Sequence, residues 1–208
     1  MPSILVSNDD GILSPGIQIL AERLKSVGEV TVIAPSQERS TTGHSLTLHK
    51  PIRVEAFHKP GFYSINGTPA DCAYLGIKKL LKEKPDLVVS GINRGPNLGN
   101  DIHYSGTVAV AREATFLKVP SMAISIDHWA SDNDMHFETA ATVACTLAKK
   151  ILEHGLPEDV LLNVNVPDLP IDQIKGMRVV KTGFRFYSDR IVEHKDPRGK
   201  AYYWLGGE

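Results

Sequence analysis

Short apolar runs alternate along this chain with stretches of helical periodicity, and that alternation restricts its architecture more than any other feature. Ile4-Leu5-Val6 leads through Ser7-Asn8-Asp9-Asp10-Gly11 into a segment, 15–27, that places Ile17, Leu20, Ala21 and Leu24 at helical spacing. Ser14 suits the cap of that helix, Pro15 its first turn and Gly28 its C-terminal end. Val30-Thr31-Val32-Ile33-Ala34 follows as a second buried strand. Two strands joined by a helix read as a βαβ unit, which implies a parallel sheet. The pattern repeats. A helix is expected from Thr68-Pro69 through Lys82 with Ala73, Ile77, Leu80 and Leu81 inward, then a strand over 86–90, a helix over 106–117 and a strand over 121–126. A further helix over 137–154 carries Ala140, Val143, Ala144, Leu147 and Ile151 on one face, and a strand over 160–164 follows it. The expectation is one α/β domain, 1–208, built on a doubly wound, mostly parallel sheet. Its end differs: Ile191-Val192-Glu193-His194 and Ala201-Tyr202-Tyr203-Trp204-Leu205 flank Asp196-Pro197-Arg198-Gly199, the composition of an antiparallel β-hairpin. An isolated hairpin is marginal in water, so this extension, 185–208, is expected to pack on something, and a neighbouring subunit is the expected support.

Composition narrows the partners. With 42 % hydrophobic residues in 208, the chain has enough apolar matter for a sizeable core. Its 23 basic and 24 acidic side chains leave a formal net charge of −1, so no global field recruits a nucleic-acid polymer or an anionic membrane. Any bound anion must be held locally. The two cysteines, Cys72 and Cys145, lack metal-ligand spacing and read as small core residues of a protein from a reducing compartment. The opening MPSILVSNDD has no basic leader region, and no stretch reaches the length of a membrane span. A cytoplasmic location is expected.

In open parallel sheets, ligands bind beyond the carboxyl ends of the strands. Three polar segments fall there: Ser7 to Gly11, Pro35 to Ser45, and Gly91 to Asn97. The adjacent carboxylates Asp9 and Asp10 repel each other, at a large cost in a low-dielectric crevice unless a proton or cation lies between them. A divalent cation, Mg²⁺ or Mn²⁺, resolves the conflict with hard oxygen ligands, for which Asp9, Asp10, the Ser40 hydroxyl and the Asn93 amide oxygen are candidates. The alternative is that one aspartate caps the next helix while the other faces solvent. Ser105-Gly106-Thr107 opens a helix whose first N–H groups and hydroxyls suit a phosphate, Gly106 allowing close approach; ordinary capping is the competing reading. Likewise the glycines and proline of 91–99 either shape a turn or frame a site. His44 is a candidate general acid or phosphate-orienting group, or else a packed loop histidine. Asp71 serves the start of its own helix, where negative charge is favourable.

Five motifs in order, Ser7-Asn8-Asp9-Asp10-Gly11, Ala34-Pro35 through Ser45, Gly67-Thr68-Pro69-Ala70-Asp71-Cys72, Val89 through Asn97 and Tyr104-Ser105-Gly106-Thr107-Val108, resemble the SurE survival-protein nucleotidase family. A looser likeness continues through Asn163-Val164-Asn165-Val166-Pro167 to the Tyr202-Tyr203-Trp204 hairpin. The resemblance implies a Rossmann-like three-layer α/β/α fold and one divalent cation per subunit. It also implies hydrolysis of nucleoside 5′- and 3′-monophosphates, with short polyphosphate a further substrate of some members. It places metal ligands at Asp9, Asp10, Ser40 and Asn93, and phosphate contacts at Asn97, Ser105, Gly106 and Thr107. Family members assemble as homodimers or homotetramers by exchanging C-terminal segments, and their chains usually continue beyond the stretch resembling 204–208.

Two other classes compete. A receiver-like phosphorylation switch also carries an acidic pair after its first strand, but where its phosphoacceptor aspartate would follow Pro85-Asp86-Leu87-Val88-Val89-Ser90, this chain has Gly91. A nucleotide- or phosphate-binding sensory module would use the same contacts without turnover, and release of inorganic phosphate separates it from an enzyme.

Overall fold

The computed structural model describes residues 1–128, 135–186 and 190–206. The first strand, β1 (Ser3–Ser7), is central in a seven-stranded sheet and buried along nearly its whole length. Its period-2 geometry divides its side chains between two cores: Ile4 and Val6 join one apolar cluster and Leu5 the other. Helix α1 (Pro15–Leu24) covers the first face, and β2 (Glu29–Pro35) returns parallel to β1. Ser14 occupies the N-cap position as expected, but its hydroxyl makes no capping bond; it accepts instead from Asn8 Nδ2 at 2.8 Å.

Two strands had no counterpart in the sequence reading. β3 (Val54–Ala56) and β4 (Phe62–Ile65) extend the sheet beyond β2, with β4 parallel to β2 and β3 antiparallel at the edge. Helix α2 (Pro69–Leu75) starts at a complete capping box, the Thr68 hydroxyl accepting from Asp71 N–H while Asp71 Oδ2 accepts from Thr68 N–H. This fulfils the helix-start role expected of Asp71. The helix ends sooner than expected, passing into a π turn at Gly76–Leu80 where the chain packs close to β1: a Cβ on Gly76 would lie 2.9 Å from Leu5 Cδ2.

β5 (Leu87–Arg94) runs through Gly91, which the sequence suggested as the start of a loop. Its register against the next strand shifts between Ser90 and Asn93, and Gly91 has φ +133° with its Cβ position 2.3 Å from Ile124 O. Only glycine fits that approach, so the residue marks an irregularity inside the strand rather than its end. Helix α3 (Gly106–Phe116), β6 (Ser121–Asp127), α4 (Phe137–His154) and β7 (Leu162–Pro167) complete the sheet in the order β3-β4-β2-β1-β5-β6-β7. Helices α1 and α4 cover one face and α2 and α3 the other, giving three α/β/α layers. The hairpin also forms, as β8 (Arg190–Lys195) and β9 (Ala201–Gly206) in a separate two-stranded sheet. Trp204 and Leu205 are 65 % and 87 % exposed on it, so the apolar surface expected to find support is open in the single chain. Among the described residues, no helix is long and apolar enough to cross a membrane.

Candidate active site

The chain works outward in one direction from β1 to β2 and β4, and in the other from β1 to β5, β6 and β7. The crevice between the carboxyl ends of β1 and β5 is therefore the switch point at which open α/β sheets bind ligands. The turn after β1 is fixed from within: Asn8, fully buried, donates from Nδ2 to Gly11 O and Ser14 Oγ. Asp9 and Asp10 project from this pinned turn into different surroundings.

Asp9 is 5 % exposed and lies against the start of α3. Thr107 Oγ1 donates to its Oδ1, and the backbone N–H groups of Gly106 and Thr107 also donate to the carboxylate. Burial pushes its pKa up, and these donors pull it back. Gly106 makes the approach possible, because a Cβ there would stand 2.7 Å from Asp9 Cβ and 3.0 Å from Pro69 Cγ. Asp10 is half-buried. Burial, then the charges of Asp9 and Glu38, push its pKa up to about 7 against the opposing N–H and guanidinium of Arg94.

A cleft of about 490 Å³ opens over the pair, and Ser40, Asn93, Asn97 and Ser105 line it with Asp9 and Asp10. The structure thus brings together four of the loops singled out in the sequence. Ser40 donates to Glu38 Oε1 at 2.6 Å. Asn93 donates from Nδ2 to Gly95 O at 2.7 Å, which leaves its Oδ1 as the hard acceptor. Asn97 is held on three sides: its N–H donates to Asn165 Oδ1, its carbonyl accepts from Asn163 and Asn165, and its Nδ2 donates to Ser125 Oγ. Ser105 caps α3, accepting from Val108 N–H at 3.1 Å. Among the described residues, no three His, Cys, Asp or Glu side chains gather as a metal cluster. The donors available at the cleft are two carboxylates with amide and hydroxyl oxygens, a set whose hardness fits Mg²⁺ or Mn²⁺.

Three expected site residues sit differently from the sequence picture. Gly106 and Thr107, read as part of a phosphate cradle, are buried and turned to Asp9, so their donors organise the carboxylate. His44, read as a candidate acid, is not among the cleft-lining residues; its Nε2 lies 2.7 Å from Glu113 Oε2 and its ring stacks on Phe116. In return the cleft gains Glu38, Arg94, Asp101, Tyr104 and Arg185. Arg94 and Tyr104 both stood in quoted motifs, whereas Arg185 arrives from 84 positions beyond its partner Asp101, with no local signal to announce it.

The family model for Survival protein SurE matches residues 4–189. The chain belongs to the SurE family. A protein named 5′-nucleotidase SurE from Pelobacter propionicus is 50 % identical over 203 residues, spanning 98 % of this chain and 81 % of that protein. Another of the same name from Geobacter sulfurreducens is 51 % identical over 205 residues, spanning 99 % and 77 %. The crystal structure of the SurE protein from Aquifex aeolicus superposes with a TM-score of 0.88 at 47 % identity, covering 100 % of this chain and 83 % of that one. A likeness of this extent takes in every segment of this chain that builds the cleft, from the turn after β1 to Arg185.

Proposed function

We propose that this chain is a 5′-nucleotidase, a phosphomonoesterase that hydrolyses nucleoside monophosphates to nucleoside and phosphate. The observation that carries the reading is the pair of carboxylates at the β1–β5 switch point, facing a cleft lined by hard oxygen donors. The relatives named 5′-nucleotidase SurE at about half identity over nearly the whole chain support the same activity. Asp9, Asp10, Asn93 and Ser40 would hold one divalent cation per subunit, Mg²⁺ or Mn²⁺. When bound, such a cation supplies Lewis-acid stabilisation of phosphoryl charge.

The remaining work falls to the chain's own groups. Thr107 and the first N–H groups of α3 favour the charged form of Asp9 against the burial that disfavours it, the positive end of the helix acting in the same sense. Arg94 balances Asp10 from the neighbouring strand. Asn97, locked by Ser125 and the two asparagines of β7, and Ser105 at the helix cap bind and orient the phosphoryl group beside the carboxylates. Positioning and fixed electrostatics supply most of the catalysis of phosphoryl transfer, and the rigid partners of Asp9 and Asn97 suit that demand. The reading extends to both 5′- and 3′-monophosphates, to short polyphosphate, to a cytoplasmic location, and to a homodimer or homotetramer joined through the exposed hairpin.

Phosphate release from a panel of 5′- and 3′-nucleotides and short polyphosphates, with Mn²⁺, Mg²⁺ or a chelator, tests it. Turnover is expected only with metal, and Asp9→Asn and Asp10→Asn are each expected to lose it while staying folded. No metal-dependent release across the panel would leave a binding module in its place, and full activity in either variant would remove that aspartate from the site.

A further inference from the structure

The cleft's outer wall is built from a different part of the chain than its floor. Residues 99–101 receive the strap 183–186: Arg185 N–H donates to Asn100 Oδ1 at 2.7 Å, and its guanidinium meets Asp101 Oδ2 at 2.8 Å. Gly99, at φ +55°, lets the strap lie close, its Cβ position being 3.0 Å from Arg185 N. Asp101 also anchors Tyr104, whose N–H donates to Asp101 O at 2.9 Å. Both Tyr104 and Arg185 line the cleft, and Tyr104 is 66 % exposed.

These two side chains offer planes rather than charge. Asp101 neutralises Arg185, so the guanidinium contributes little as a net cation for a phosphate, while its flat face keeps its capacity to stack on rings. A large exposed aromatic on a cleft wall offers apolar area at low entropic cost. Stacking between aromatic or guanidinium planes is how proteins hold unpaired bases, and it needs no base-reading hydrogen bonds. The cleft volume lies within the roughly 300–1,000 Å³ typical of sites for ligands larger than a bare phosphate. With the phosphoryl end assigned to Asp9, Asp10, Asn97 and Ser105, the remainder of a nucleotide has this wall to meet.

We infer that Tyr104 and Arg185 form the subsite for the nucleobase, and that the 183–186 strap is therefore a specificity element for nucleotides over other phosphomonoesters. This rests on the nucleotidase reading for its substrate class. The subsite recognises a flat heterocycle, purine or pyrimidine, by stacking.

The test compares wild type with Arg185→Ala, Tyr104→Leu and Tyr104→Phe in two measurements. The first is kcat/KM for AMP relative to kcat/KM for β-glycerophosphate, which has no ring. The second is a direct binding titration with adenosine, which has no phosphate. Arg185→Ala and Tyr104→Leu are each expected to lower the AMP to β-glycerophosphate ratio about tenfold, mainly through KM, and to weaken adenosine binding by a similar factor, the size of one lost stacking partner. Tyr104→Phe keeps the plane and is expected to stay within twofold of wild type. Equal losses on both substrates, or adenosine binding unmoved by either truncation, overturn the subsite. An inactive wild type overturns the nucleotidase reading instead, and the adenosine titration still decides whether this wall binds a base.

Discussion

Gly106→Ala isolates the contact on which the site depends. By helix propensity alone the change is neutral or favourable, since replacing glycine by alanine where the backbone allows it stabilises by about 0.4–1 kcal/mol. Here the added Cβ would lie 2.7 Å from Asp9 Cβ and 2.9 Å from its Oδ2, with Pro69 Cγ at 3.0 Å on another side. Restoring ordinary contact requires the two backbones to part by about 0.7 Å. Helix α3 resists, because Val108, Ala109, Val110 and Ala111 are all buried around it. The Asp9 backbone resists as well, its carbonyl accepting from Arg39 N–H at 2.7 Å. The yielding element is the Asp9 carboxylate, whose bond to Thr107 is then lost or bent. A misplacement near 1 Å in a catalytic group costs about 10²-fold, so a loss of roughly 30- to 100-fold in kcat/KM is expected. Overpacking costs about 1–3 kcal/mol against the small propensity gain, which for a chain of this size lowers the melting temperature by roughly 2–8 °C. Phosphate release and a thermal melt on the same preparation measure both. Wild-type kcat/KM with an unchanged or higher melting temperature would refute the argument that this glycine sets the carboxylate.

Two more outcomes follow from the charges and the exposed hairpin. Asp10 has a pKa near 7 when folded against 3.8 in the unfolded chain, so between these values the native state keeps a proton that the unfolded state has released. Stability without metal therefore falls as pH rises across that window, and Asp9, raised in the same direction, adds to the fall. In chelator, Asp10→Asn is expected to melt higher than wild type at pH 8 and to converge with it near pH 4; a difference independent of pH would contradict the assignment. Leu205→Arg, on the open hairpin face, is expected to lower the mass measured by light scattering to that of one chain, and an unchanged oligomeric mass would place the interface elsewhere.

The parts of the fold legible in the sequence are those whose signal is local. Helix α4 was readable to the residue because its apolar stripe is unbroken, and β1 and β2 because both faces of each are covered, leaving a continuous apolar run. β3 gave no sign because all three of its residues are exposed and only pairing with β4 makes it a strand. β5 was cut short for the opposite reason: a glycine at its middle looks like punctuation, and only the neighbouring Ile124 carbonyl shows why glycine belongs inside. In the site, the rule that ligands gather at strand ends was enough to bring Asp9, Asp10, Ser40 and Asn93 to one cleft. It could not assign the donors of α3, because whether a helix N-terminus serves a ligand or a side chain depends on what packs against it. Nor could it reach Arg185, which contacts 99–101 from more than 80 positions away in sequence.

Adjacent in sequence, the two aspartates are served by different elements. Asp9 is stabilised by α3, which packs behind the sheet, and Asp10 by Arg94 at the end of the next strand. Neither arrangement fully offsets the burial of charge, since both carboxyls remain above their ordinary pKa. The burial and neighbouring charge that disfavour ionised Asp10 lower the stability of the chain at neutral pH, so Asp10→Asn, expected to stabilise it there, is also expected to silence the activity proposed for it.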